Sequence, residues 1–101
     1  MSVLEIVRYR VKDGVTPDQA LAAWAKSLSF ATAQPGFVSR KLAHTEDGVF
    51  ADIVEWQDMA SALAVHEEFK VDKYPELADL VAVLDESTLE MQHFTVTGRE
   101  D

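Results

Sequence analysis

Two segments of this chain are apolar on both faces, and a strand of that kind has to be covered on both sides. In Val3–Val11 (VLEIVRYRV), Leu4 and Ile6 point one way while Val3, Val7, Tyr9 and Val11 point the other. In Val49–Trp56, Val49, Ala51 and Ile53 lie opposite Phe50, Val54 and Trp56. An antiparallel sheet with one face in water alternates apolar with polar residues. A bare second face here would expose more apolar surface than soluble monomers usually carry. The simplest cover is a second copy of the same sheet related by a two-fold axis, so the expected partner is the chain itself, as a homodimer. Two packed, strongly curved sheets can enclose a small cavity, and polar residues at inward positions would line it.

The order of elements gives the fold class. Val3–Val11 is rich in β-branched residues and reads as a strand. Thr16-Pro17-Asp18-Gln19 has the form of a capped helix start: Thr16 caps, Pro17 suits the first helical position and Gln19 completes a capping box. The helix is expected to run to about Ala33, with Leu21, Trp24, Ala25, Leu28 and Ala31 along one face, until Gln34-Pro35-Gly36 breaks it. Phe37–Thr45 and Val49–Trp56 flank Glu46-Asp47-Gly48, a hairpin signal. Asp58 is an N-cap for a helix from Met59 to about Lys70, whose expected inner face is Met59, Ala62, Leu63, His66 and Phe69. Tyr74-Pro75 opens a shorter helix with Leu77, Leu80, Val81 and Leu84 in phase, and a strand from Thr88 to about Thr97 precedes a polar tail. The result is β-α-β-β-α-(α)-β: one α+β domain spanning 1–101, ferredoxin-like, with helices on one face of a four-stranded antiparallel sheet.

Charge and composition narrow the function. The formal charge of −9 repels phosphate backbones and anionic lipid, so neither nucleic acid nor a membrane surface is an expected partner. Without cysteine there is no disulfide, thiol nucleophile or thiolate metal site. The first residues, MSVLEIVRYR, lack the apolar run of a signal peptide, and the expected location is cytoplasmic. GxGxxG, GxxxxGK[ST] and GxSxG are all absent. The three histidines, His44, His66 and His93, show neither HxH nor HExxH spacing. A metal site built from them with Glu5 or Asp52 is open in three dimensions, but no spacing signals one, and neither metal nor cofactor is expected.

The candidate site residues are polar side chains set among apolar ones. His66, beside Leu63 and Phe69, is a candidate general base; its plainer role is a half-buried histidine bonded to a backbone carbonyl. Glu5 shares a strand face with Tyr9, as a carboxylate and phenol pair suited to enol or phenol substrates, unless Arg8, Arg10 or a neighbouring strand pairs with it. Arg40 and His44 depend on the hairpin register. A two-residue turn at Asp47-Gly48 sets Arg40 against Glu55 and His44 against Ala51. A three-residue loop with Gly48 left-handed puts both on the side of Asp52, Val54 and Trp56, where Arg40, His44 and Asp52 line a cavity. His93 shares a parity with Leu89 and Met91 and points inward, as a ligand contact or as a satisfied core residue. Trp56 is core or a flat wall against an aromatic ligand.

Glu5–Tyr9 (EIVRY), Gln34-Pro35-Gly36-Phe37, Asp52–Trp56 (DIVEW) and Asp58–His66 (DMASALAVH) together resemble the dimeric α/β-barrel superfamily, and within it the antibiotic-biosynthesis-monooxygenase type of domain. The resemblance implies a homodimer whose sheets form a barrel, with a pocket between sheet and helices. In some members it implies cofactor-independent oxidation of polycyclic phenols or quinols. Such domains often carry a Glu two residues before the strand Trp; here that position is Val54, and Glu55 adjoins Trp56. Two functions follow. One is a cofactor-independent oxygenase with His66 or Glu5 as base and Tyr9 or Arg40 as donors to the developing oxyanion. The other is a non-catalytic dimeric binding or stress-associated module, with no cavity large enough for a ligand.

Overall fold

The computed structural model describes residues 1–100. Strand β1 (Val3–Val11) is followed by helices α1 (Pro17–Lys26) and α2 (Leu28–Thr32), then by β2 (Phe37–His44) and β3 (Phe50–Trp56). Helix α3 (Met59–Glu68), a 3-10 turn at Pro75–Leu77 and helix α4 (Ala78–Val83) lead into β4 (Leu84–Thr95). The strands form one antiparallel sheet in the order β2-β3-β1-β4, the ferredoxin-like arrangement expected from the element order. No helix among the described residues is long and apolar enough to cross a membrane.

The capping box forms as read: Thr16 Oγ1 accepts from the Gln19 amide at 3.1 Å, and Gln19 Oε1 accepts from the Thr16 amide at 2.8 Å. Asp58 caps α3, accepting from the Ser61 amide at 2.8 Å. The long first helix, however, is broken at Ser27. Its buried hydroxyl donates back to the Trp24 carbonyl at 2.6 Å and its amide bonds the same oxygen at 3.0 Å, a tight i to i−3 turn that ends one helix and starts the next.

The helix phases also differ from expectation. In α1 the buried residues are Ala20 and Ala23, and Leu21 is exposed; in α3 they are Ala62 and Val65, and Leu63 is exposed. Alanines fall on several faces of both segments, so more than one phase presents an apolar stripe. The last strand begins at Leu84 and not Thr88. Asp85 and Leu84 pair with Arg10 and Val11 beyond a register shift, where the Arg10 amide bonds Thr88 Oγ1 instead of the ladder.

Directly paired residues share a face, which fixes the two sides of the sheet. Helices cover the side of Val3, Glu5, Val7, Tyr9, Phe50, Asp52, Val54 and Trp56, where both core clusters lie. The other side carries Leu4, Ile6, Ile53 and Phe94, flanked by Arg8, Lys41, Glu55 and Glu90. Leu4, Ile6 and Ile53 are only half-buried there, and Phe94 is exposed.

Candidate functional site

A cavity of about 420 Å³ lies between the sheet and the helices, within the 300–1,000 Å³ typical of small-molecule sites. It is not in a space between two sheets, where sheet-on-sheet packing was expected to put it, because the inward polar residues sit on the helix-covered face. Phe30, Val65, Leu80 and Leu84 make its wall largely apolar, and Glu5, Tyr9, Arg40, Asp52, Trp56 and His66 all line it.

The hairpin loop decides which residues enter this space. Thr45 pairs with Val49, its amide donating to the Val49 carbonyl, and Glu46, Asp47 and Gly48 form a three-residue loop with Gly48 at φ +93°. A left-handed residue at that position is nearly free only for glycine. The resulting register sets Arg40 opposite Val54 and His44 opposite Phe50, so both basic residues turn to the helix side. His44 nevertheless stays exposed, its Nδ1 bonded to the Thr45 carbonyl at 2.9 Å and its ring 5.1 Å from Phe50.

Arg40 and Asp52 form a two-pronged pair, Nη2 to Oδ2 at 2.6 Å and Nε to Oδ1 at 3.0 Å. Their side chains are only 7% and 10% exposed. Arg40 Nη1 also donates to Ser27 Oγ at 2.9 Å, and its guanidinium lies 4.9 Å from the Trp24 ring. Every polar contact of this charge is therefore internal. Nearby, burial pushes the Tyr9 phenol up to about 12, the Asp52 carboxylate adding to the rise and Arg40 opposing it. The buried Tyr9 hydroxyl and Trp56 indole N–H have no protein hydrogen-bond partner.

Glu5 lies four residues from Tyr9 on the same face of β1, about 13 Å along the strand. Its Oε2 accepts from His66 Nε2 at 2.8 Å and from His93 Nε2 at 2.9 Å. The two rings are 5.5 Å apart. Glu5 is buried, His93 half-buried and His66 about one-third exposed. The pairing of β1 with β4 sets Glu5 opposite His93, and α3 brings His66 across the same carboxylate. A carboxylate held by two imidazoles can receive a proton and pass it between partners.

The structure thus gathers Glu5, His66 and His93 at one position, and Tyr9, Arg40 and Asp52 at another, with Trp56 in the wall between sheet and helices. Arg8 and Arg10, considered as partners for Glu5, instead bond Gln92 and Asp47. Ser27 and Trp24, which hold Arg40, were missed as site residues. Ser27 falls in one helical stripe with Ala20, Ala23, Phe30 and Ala31, all buried, and a polar residue in that phase was the available signal.

No protein-family model and no curated protein matches the chain. Among solved structures, it is similar to SnoaB, a cofactor-independent oxygenase from Streptomyces nogalater, at TM-score 0.72 and 23% identity over 97% of this chain and 95% of that one. A putative antibiotic biosynthesis monooxygenase from Bordetella bronchiseptica superposes at TM-score 0.78 with 13% identity, over 95% of this chain and 97% of that one. A dimeric ferredoxin-like protein of unknown function from Thermobifida fusca superposes at TM-score 0.67 with 19% identity, over 95% and 92% of the two chains. The fold of this chain is accordingly the ferredoxin-like fold that these structures share.

Proposed function

We propose that this chain forms a homodimer that binds an aromatic or enolic molecule in the cavity of each protomer and oxidises it with dioxygen, without a cofactor. The observation that carries the reading is the Glu5 carboxylate, buried at an apolar cavity and bonded to two histidines, one of which lines the same cavity. A phenol or enol placed there gives up its hydroxyl proton to the Glu5–His66–His93 cluster. The electron pair of the resulting anion passes from a ring carbon to dioxygen, a carbon–oxygen bond forms, and the proton returns to the peroxide. Loss of water then leaves a quinone or ketone. Tyr9 and Trp56 line the same cavity and carry donors without protein partners, which makes them the candidate donors to substrate oxygens, while the Arg40–Asp52 pair holds the wall beside Tyr9 in place. A cavity of this size speaks against the non-catalytic module, whose interior would be filled.

The homodimer reading is supported by the uncovered face of Leu4, Ile6 and Ile53, half-buried, and Phe94, exposed, an apolar centre with a charged rim, and by the dimeric state of the similar ferredoxin-like proteins. Sedimentation should give twice the chain mass for the native protein and the chain mass for Ile53→Glu; a native monomer would remove this part of the reading.

The experiment for the reaction is dioxygen uptake with a panel of polycyclic phenols and hydroquinones, binding being followed by tryptophan quenching. Glu5→Gln should lower turnover by roughly 10²–10⁴-fold, the range of a lost acid–base group, with affinity changed only a few-fold. Turnover by Glu5→Gln equal to that of the native protein, or quenching by no member of the panel, would overturn the proposal.

A further inference from the structure

We propose that Glu5, His66 and His93 also form a binding site for one divalent transition-metal ion, independently of the reaction proposed above. The two buried carboxylates of the cavity are satisfied in different ways. Asp52 has a permanent cation, Arg40, in two-pronged contact. Glu5 has only imidazoles, which carry charge only when protonated. A buried carboxylate needs a counter-charge. A metal ion supplies that charge through the same three side chains without any proton.

The donor geometry agrees. One carboxylate oxygen and one ring nitrogen from each histidine lie within 4.8 Å of one another, from three different elements: β1, α3 and β4. Ligand atoms at about 2.1 Å around a tetrahedral ion are about 3.4 Å apart. The carboxylate–imidazole separations of 2.8 and 2.9 Å therefore open by about half an ångström as the ion enters. The partly exposed His66 has the freedom to make that shift. Binding moves each ring hydrogen from Nε2 to Nδ1, so that Nε2 becomes a lone-pair donor. Two imidazoles and one carboxylate suit zinc, cobalt, iron and nickel better than magnesium or calcium. Since Glu5 and His66 line the cavity, the remaining coordination position opens onto it and would take an oxygen donor.

The ion and a substrate proton compete for the same donors, so metal loading would block the acid–base role. The test needs no substrate, and its failure and that of the oxygenase reading are separately visible. Tag-free protein, stripped with chelator, is titrated with zinc chloride by calorimetry and with cobalt chloride by visible absorption. One ion per chain is expected. Glu5→Gln and His93→Gln should weaken zinc more than roughly 100-fold, beyond the 10–100-fold cost of losing an outer-shell partner. His66→Gln, at a partly exposed helix position, is the mildest of the three changes; its fold is checked by circular dichroism, and it should also lose the cobalt spectrum. His44→Gln should bind as the native protein does. Histidine ring nitrogen resonances should report metallated Nε2 at His66 and His93 alone. No saturable binding, or binding that survives His66→Gln and His93→Gln, would overturn the site.

Discussion

Replacing Arg40 by Met is the most informative perturbation of this cavity, because it deletes a charge and keeps most of the volume. Asp52 would then stand buried with neither of its bonds at 2.6 and 3.0 Å, and Ser27 Oγ would lose its donor at 2.9 Å. An exposed ion pair is worth about 0–1 kcal/mol. This pair is 7% and 10% exposed, so the relevant cost is that of stranding a buried charge, about 3–5 kcal/mol. With an m-value near 2 kcal/mol per molar for a domain of this size, the urea midpoint should fall by roughly 2 M. That is a large part of the roughly 5–15 kcal/mol a domain has to lose. Asp52→Leu should cost a similar amount by leaving the guanidinium unpaired. The double variant Arg40→Met/Asp52→Leu strands no charge and should be less destabilised than the sum of the singles by roughly 2–3 kcal/mol. All three are compared by urea denaturation at one protein concentration, since dimerisation contributes to stability. Single costs below about 1 kcal/mol, or strict additivity, would refute the view that the pair is a closed internal unit.

Two further outcomes follow from local structure. The Tyr9 phenol titrates near 12 in the folded chain and near 10 in the unfolded chain, so the unfolded state gives up its proton first. The stability tied to the neutral phenol is intact below pH 10 and lost as pH rises through 12, and Tyr9→Phe should flatten the fall in urea midpoint over that window; an equal fall in both proteins contradicts the assignment. Gly36 and Gly14 have similar backbone angles, φ +83° and +85°, but a Cβ on Gly36 would sit 2.6 Å from Ser61 Cβ whereas Gly14 faces open space. Gly14→Ala should cost about 1–2 kcal/mol for the left-handed backbone, Gly36→Ala about 1–3 kcal/mol more for the overlap, and equal melting temperatures would exclude the contact as the cause.

What could be read from the sequence, and what could not, divides by the range of the interaction that decides each feature. The Thr16–Gln19 box and the Asp58 cap involve residues three apart and formed as read. The face of β1 that carries Glu5 and Tyr9 follows from alternation alone. The inner faces of α1 and α3 were misassigned, because alanines leave several phases comparably apolar and only tertiary packing, against α4 for α1 and against the sheet for α3, selects among them. The partners of Glu5 lie 61 and 88 residues away, and their meeting needs the strand order, the β1–β4 register and the placing of α3 all at once. Arg40 turned on a smaller matter: whether the β2–β3 loop holds two residues or three. The Thr45 hydroxyl accepts from the Val49 amide at 3.0 Å and the Thr45 carbonyl from the Gly48 amide at 3.1 Å, which holds the longer loop. One residue fewer would swap every side chain of β2 to the other face. Asp52 would then face the cavity without its cation, at a cost comparable to the Arg40→Met variant. The loop outside the cavity and the charge pair inside it therefore specify the same register, and each stabilises the choice the other requires.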